Sequence, residues 1–132
     1  MGVVVDSSVL VAADRGELDL DAVLASHGGE DVAIAAITAA ELLHGVHRMT
    51  GARRARAERF VEAICETVEV VPFDLDIART YAAMGADLRA RGIGVGAHDL
   101  MIAATAVSRD HAVATRDLRS FPRIDGIEVV RW

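Results

Sequence analysis

Four acidic side chains of this sequence stand at places where carboxylates often do chemistry. They are Asp6, Glu41, Asp99 and Asp117. The first and the last follow short β-branched runs that predict strands, and the other two fall in the expected first turns of helices. In an open α/β sheet the functional crevice lies beyond the carboxyl ends of the strands. We therefore expect all four acids at one edge of one sheet, with the hydroxyls of Ser7 and Thr115 beside them.

A cluster of four carboxylates is electrostatically costly without a counter-ion. Like charges in one place repel each other and raise one another's pKa values, unless a divalent cation offsets the charge. Oxygen ligands without cysteine select hard cations, so the sequence predicts Mg²⁺, with Mn²⁺ as the alternative. These ions keep several waters and suit phosphate substrates. The chemistry that the four residues predict is metal-assisted hydrolysis of a phosphodiester bond.

Each acid also has a structural explanation. Glu41 completes a capping-box spacing with Thr38 at the start of a helix, and Asp99 would be favoured at a helix N-terminus by the helix dipole. Asp117 could be a turn residue. The set is more informative than any one member, because the expected topology sends all the acids to the same edge of the sheet.

The elements that must position these acids alternate between strand and helix, which is typical of an α/β protein. Five β-branched runs predict the strands: Val3–Val5, Val32–Ala36, Val68–Val71, Ala112–Thr115 and Ile127–Val130. The helices between them should cover both faces of a mostly parallel five-stranded sheet. We expect a three-layer fold in a single domain that spans residues 1–132.

The predicted helices carry recognisable start signals and apolar stripes. Ser7 or Ser8 is expected to cap a short first helix, and Asp74 to cap a long one. The helix over 97–109 is apolar nearly all round, so it should lie in the middle of the domain. A loop that includes Gly29 is expected to end the second helix.

Composition excludes several classes of function. Twenty acidic and fourteen basic residues give a formal net charge of −6, so the protein does not hold nucleic acid by bulk positive charge. All the basic residues are arginine, which excludes chemistry that needs a lysine. Cys65 is the only cysteine, so an internal disulfide and a cysteine-rich zinc site are excluded. No apolar run approaches the ~18 residues of a membrane span, and no basic leader precedes the first strand. We expect a soluble, cytoplasmic protein without a membrane partner.

Four short motifs in order resemble those of PIN-domain nucleases. They are Val-Val-Asp6-Ser7-Ser8-Val-Leu, Thr38-x-x-Glu41-Leu-Leu-x-Gly45, Asp99-x-x-Ile102-Ala-Ala-Thr-Ala and Thr115-Arg-Asp117-x-x-x-Phe121. The resemblance covers the chain from end to end. It is similar in particular to the VapC-type toxins of bacterial toxin–antitoxin pairs.

This resemblance implies a PIN-like fold and a Mg²⁺-dependent endoribonuclease that cleaves structured RNA with a metal-activated water. It implies Asp6, Glu41 and Asp99 as the main acids and Asp117 as the fourth, a position that is often asparagine in such sequences. It also implies a homodimer bound to a cognate VapB-type antitoxin. The alternatives are a catalytically silent PIN-like module that binds RNA or a partner, and a flavodoxin-like binding module. Metal-dependent cleavage of RNA would separate these cases.

Other features of the sequence bear on partners. Arginines between positions 48 and 59 form a basic cluster, which is either an RNA-backbone guide or a solvated helix face. His98 either touches substrate or is simply exposed. Ile93 and Val95, in a glycine-rich loop, have no evident core role, and we expect them at an interface. An antitoxin tail is expected in a groove between the two N-terminal helices and the helix of Glu41.

Overall fold

The computed structural model describes residues 2–28 and 30–132, which form a three-layer α/β fold. Gly29, in the loop expected after the second helix, lies outside the described residues. The strands are β1 (Val3–Val5), β2 (Val32–Ala35), β3 (Glu69–Val71), β4 (Ala112–Thr115) and β5 (Val129–Arg131). The α-helices are α1 (Ser7–Asp14), α2 (Leu20–Ser26), α3 (Ala36–His47), α4 (Gly51–Thr67), α5 (Leu75–Ala90) and α6 (Ala97–Arg109). Over the same residues, no helix is both long enough and apolar enough to cross a membrane.

The sheet has the strand order β3-β2-β1-β4-β5, and each neighbouring pair is parallel. The central strand β1 pairs Val4 with Ala33 on one side and with Val113 on the other. From β1 the chain adds β2 and β3 on one side of the sheet. It then returns to the other side of β1 and adds β4 and β5. The carboxyl ends of β1 and β4 flank the point where strand order reverses, which is where open α/β sheets hold their ligands.

The two faces of the sheet pack against different helices. Val3 and Val5 face a core that includes residues of α1 and α4, with α2 packed against it. Val4, between them, faces a second core built with α5 and α6. This alternation follows from the two-residue side-chain period of a strand. The expected fold class, a parallel five-stranded sheet covered on both faces, is confirmed.

Helix α6 lies in the middle of the molecule, as its all-round apolar sequence predicts. Ile102 and the alanines that follow it are fully buried. The helix begins at Ala97, so Asp99 falls in its first turn. Helix α5 is capped as expected, because the side chain of Asp74 accepts a hydrogen bond from the backbone N–H of Ile77 at 2.9 Å.

Two predicted helix starts are wrong. The residue that caps α1 is Asp6 rather than a serine, and its carboxylate accepts a bond from the Ser8 N–H at 3.4 Å. The capping box at Thr38 does not exist, because α3 begins at Ala36 directly after β2. Thr38 is fully buried in the first turn of α3. Core packing, rather than a side-chain cap, therefore sets where this helix begins. Glu41 consequently lies in the second turn of α3.

Two apolar loop segments also differ from the expectation. The last strand begins at Val129, because a turn at Gly126, with a φ of +87°, delivers Val129 to the position opposite Val113. Ile93 and Val95 are half-buried and pack against the core formed with α5 and α6. That core contact gives both side chains a packing role that the sequence did not predict, and their place at an interface stays a prediction.

Candidate active site

Asp6 occupies the end of the central strand, where the strand order reverses. Its backbone N–H donates to the carbonyl of Ala114 on β4 at 2.8 Å, which ties the residue to both central strands. Its side chain then caps α1. The residue is 4% exposed. Strand pairing and capping together hold this carboxylate in one orientation.

A hydroxyl network holds one oxygen of Asp6. Oδ2 accepts hydrogen bonds from Ser8 Oγ at 2.7 Å and from Thr115 Oγ1 at 2.9 Å. Ser8 Oγ in turn accepts from the backbone N–H of Arg116 at 3.0 Å, so it links α1 to the loop after β4. The serine in this network is Ser8, not Ser7 as expected. The sequence signal for it was available, since Ser8 stands at the second helical position after a capping aspartate.

Asp99 faces Asp6 and Asp117 from the first turn of α6. Burial raises the pKa of the Asp99 carboxyl above its usual value, and the charge of Asp6 raises it further. The Ser120 hydroxyl opposes this rise, the charge of Asp117 adds to it, and His98 opposes it. Three of the four predicted acids therefore lie within electrostatic reach of one another.

Asp117 is held by the turn that follows β4. Its Oδ1 accepts from the backbone N–H of Arg119 at 2.9 Å and of Ser120 at 3.3 Å. The bond from Arg119 is the main reason why the pKa of Asp117 lies below its usual value. The Ser120 hydroxyl interacts with both Asp99 and Asp117. Sequence reasoning missed Ser120, and nothing in its spacing marks it.

Glu41, on α3, is linked to the acidic cluster by its contact with His98. Its Oε2 lies 3.6 Å from Nδ1 of His98, the residue that precedes Asp99. Both side chains are partly exposed, at 34% for Glu41 and 56% for His98. The structure therefore places Glu41 at the rim of the site rather than among the inner acids.

The donor chemistry of this cluster fits a hard divalent cation. Within residues 2–28 and 30–132, no three histidine, cysteine, aspartate or glutamate side chains form a group that could hold a metal ion unaided. Mg²⁺ rarely needs such a cage, because it usually takes one or two carboxylates and completes its octahedron with water. The hydrogen bonds that hold Asp6 go to Oδ2, which leaves Oδ1 for a ligand. Burial and then the charges of Asp6 and Asp117 raise the pKa of Asp99, and a cation would offset those charges.

Comparison with known proteins gives concordant matches. The family model of the PIN domain matches residues 3–127 of this chain. The chain is 34% identical to Ribonuclease VapC1 of Rickettsia felis, over 98% of this chain and 96% of that protein. It is 36% identical to the tRNA(fMet)-specific endonuclease VapC of Salmonella typhimurium, over 75% of this chain and 74% of that protein. The crystal structure of DNA-bound VapBC from Salmonella typhimurium superposes with a TM-score of 0.89 at 27% identity, covering 100% of this chain and 98% of that one.

Proposed function

Because this chain belongs to the PIN domain family, we propose that it is a metal-dependent endoribonuclease, the toxin of a toxin–antitoxin pair. The relatives that match it over most of their length are named as VapC ribonucleases and endonucleases. PIN-domain nucleases are generally dependent on divalent metals. The observation that carries the proposal is the cluster of Asp6, Asp99 and Asp117 at the switch point of the sheet, an oxygen-only donor set with excess negative charge.

The proposed cation is Mg²⁺, with Mn²⁺ as the substitute, since the donors are carboxylate oxygens. Asp6 would bind it through Oδ1, and Asp99 through its carboxylate. Glu41 and Asp117 would complete the site directly or through water. When bound, the cation would activate a water and stabilise charge on the phosphate.

The chain's own residues set the geometry of this site. Ser8 and Thr115 hold Oδ2 of Asp6, so the free oxygen of that carboxylate has a fixed direction. The backbone N–H groups of Arg119 and Ser120 hold Oδ1 of Asp117 in the same way. Carboxylates that are positioned before the ligand arrives need no reorganisation during the reaction.

The proposed substrate is structured RNA, cleaved in a single-stranded loop. Unpaired loops expose the backbone and bases to a cleft that a duplex could not enter. One relative, in Salmonella typhimurium, is named for its action on tRNA(fMet). The family resemblance implies products with 3′-hydroxyl and 5′-phosphate ends, which form when water attacks the phosphorus and the 3′-oxygen leaves.

The proposed protein partner is a VapB-type antitoxin, by analogy with the VapBC complexes among the related structures. A cavity of about 390 Å³ offers it a place, which we call the α4 groove, lined by residues of α1, α3, α4 and the turns after α1 and α3. The sequence predicts an antitoxin groove between α1, α2 and α3, whereas residues of α4 and none of α2 line this cavity. A homodimer remains a prediction, as does a place for Ile93 and Val95 at its interface.

The test is cleavage of labelled transfer RNA by the purified chain, with Mg²⁺ and with a chelator. Cleavage that requires the metal, leaves 5′-phosphate ends and disappears in the Asp99→Asn variant would support the proposal. RNA binding without cleavage in Mg²⁺ and in Mn²⁺ would instead establish the catalytically silent alternative.

A further inference from the structure

The α4 groove leads into the acidic site. Glu41 is one of its lining residues, and the same carboxylate lies 3.6 Å from His98, beside Asp99. The floor is apolar and includes Met49 and the half-buried ring of Phe60. A chain that enters the active site at Glu41 can therefore continue along this groove without leaving the surface.

Three arginines line this groove. Arg53 and Arg56 stand one turn apart on α4, so they share a helix face, and Arg15 stands across from them after α1. Among the described residues, none of the three makes an ion pair with a carboxylate within 4.0 Å, whereas Arg91 and Arg109 do. Asp14 is the one acid besides Glu41 on the lining. The three guanidinium groups therefore remain available for an anionic ligand.

The chemistry of this wall suits a nucleic-acid backbone. A chain with a net charge of −6 can contact RNA only through local basic surface, and this wall concentrates three arginines beside the acidic site. Guanidinium groups bind phosphate with paired hydrogen bonds. Apolar side chains on the floor, such as Phe60, can receive the faces of unpaired bases.

On these grounds, and resting on the ribonuclease function proposed above, we propose that the α4 groove holds the RNA strand next to the scissile phosphate. Arg53 and Arg56 bind successive phosphates from α4, and Arg15 contacts the strand from α1. The groove thereby sets how the substrate crosses the acidic site. An antitoxin that enters the same groove would displace the substrate strand as well as cover the carboxylates.

The test compares two double variants of equal charge change. Arg53→Ala/Arg56→Ala removes the α4 side of the wall. Arg79→Ala/Arg89→Ala removes two exposed arginines of α5 that do not line the groove. Binding of a fluorescein-labelled single-stranded oligoribonucleotide is measured in chelator over a range of salt, and cleavage kinetics are measured in Mg²⁺. Circular dichroism melts check that both variants fold, and Arg53→Gln/Arg56→Gln repeats the change with polar side chains.

The groove variant should raise KM at least about tenfold with little change in kcat, because phosphate contacts bind substrate and transition state alike. Its salt dependence should also weaken, with the slope of log K against log salt reduced by about 1.4, at about 0.7 for each lost phosphate contact. The control pair should keep the wild-type slope. Equal losses in both pairs, or an unchanged slope in the groove pair, would overturn the inference. A wild-type chain without metal-dependent cleavage would instead overturn the proposed function.

Discussion

Asp99 is the acid whose charge the fold opposes most clearly. It is half-buried, and the charges of Asp6 and Asp117 act on it, so burial and repulsion both raise its pKa. A group in such surroundings weakens the metal-free fold and gains when a cation arrives. Perturbed groups in a cleft are also typical of functional sites.

Replacing Asp99 by asparagine should separate activity from stability. Asp99→Asn should lower cleavage by more than about 100-fold, since even residues that only support metal ligands cost 10–100-fold. In chelator its melting temperature should equal or exceed that of the wild type, because one repelling charge is gone. Asp21→Asn, an exposed change in the first turn of α2, is the matched control. It should leave cleavage unchanged and slightly lower the melting temperature, because a favourable charge near the helix N-terminus is lost. Wild-type cleavage by Asp99→Asn would remove Asp99 from the mechanism.

The same carboxylate predicts a pH dependence of stability. A raised pKa means that the folded protein keeps the Asp99 proton to higher pH than the unfolded chain does. Stability relative to Asp99→Asn should therefore be greatest below about pH 3.9, the ordinary aspartate pKa, and decline as pH rises through the folded value. Melting curves of both proteins in chelator, from acid to neutral pH, measure this gap. The stability difference between Asp99→Asn and the wild type should widen toward neutral pH and narrow when Mg²⁺ is added. Failure of either change would contradict the electrostatic account.

Ser8 and Ser7 form a natural pair for testing the support of Asp6. Ser8→Ala removes the bond at 2.7 Å to Oδ2 and the anchor for the Arg116 N–H, so Mn²⁺ affinity and cleavage should both fall by about 10–100-fold. Ser7→Ala should stay close to wild type. Metal titration followed by calorimetry gives a readout that does not depend on turnover. Equal effects of the two substitutions would show that the hydroxyl network does not position Asp6.

The sequence predicts the acidic residues of this site better than it predicts the residues that hold them in place. Asp6 and Asp99 could be placed because each adjoins a strong local signal: Asp6 directly follows a buried strand, and Asp99 stands at the start of an apolar helix. Thr115 and Ser120 act on acids that lie far away in the chain, on Asp6 and on Asp99, and such contacts depend on how separate elements pack. No periodicity records that packing.

Helix α3 shows how burial can override a local start signal. The spacing from Thr38 to Glu41 favours a cap, yet the helix begins two residues earlier because β2 runs straight into it. Thr38 is left fully buried with a hydroxyl that has no hydrogen-bond partner among the described residues. By contrast α6 starts and ends where its sequence predicts, since Gly96 precedes it and no strand competes.

Thr38→Val should therefore stabilise the protein. Replacing an unpartnered buried hydroxyl by a methyl group of the same shape should raise the free energy of unfolding by about 1 kcal/mol. Thr105→Val is the matched control, because that buried hydroxyl donates to the carbonyl of Met101 at 2.8 Å, and its loss should cost about 1 kcal/mol instead. Urea denaturation of the two variants measures both changes. The same sign for both would mean that hydrogen bonding does not decide the outcome.

At the scale of the whole molecule, charge is divided between two neighbouring surfaces. The four predicted acids account for four of the net six negative charges. Beside them, the α4 groove presents Arg15, Arg53 and Arg56. A nuclease with this division can attract phosphates to one wall and hold a cation at the next. The α/β fold class with its mostly parallel sheet was predictable from the alternation of strands and helices. The groove was not predictable, because it depends on how α4 packs against α1 and α3.

Gly45 offers a way to close the α4 groove without disturbing the fold. It lies on α3 within the groove lining, and a Cβ added there would meet no atom within 4 Å. Gly45→Ala should stabilise the protein by up to about 1 kcal/mol through helix propensity alone. Gly45→Leu should be equally well folded, yet its side chain would occupy the space that a partner needs.

Affinity for the cognate antitoxin should therefore fall at least about tenfold in Gly45→Leu, the cost expected of an overpacked contact, and stay near wild type in Gly45→Ala. Calorimetric titration of both variants with the antitoxin measures this difference, and melting curves confirm the fold. Because the groove is also the proposed RNA path, the leucine variant should lose RNA affinity in parallel. Loss of RNA affinity with full antitoxin affinity would mean that the antitoxin binds a different surface and leaves the groove to the substrate alone.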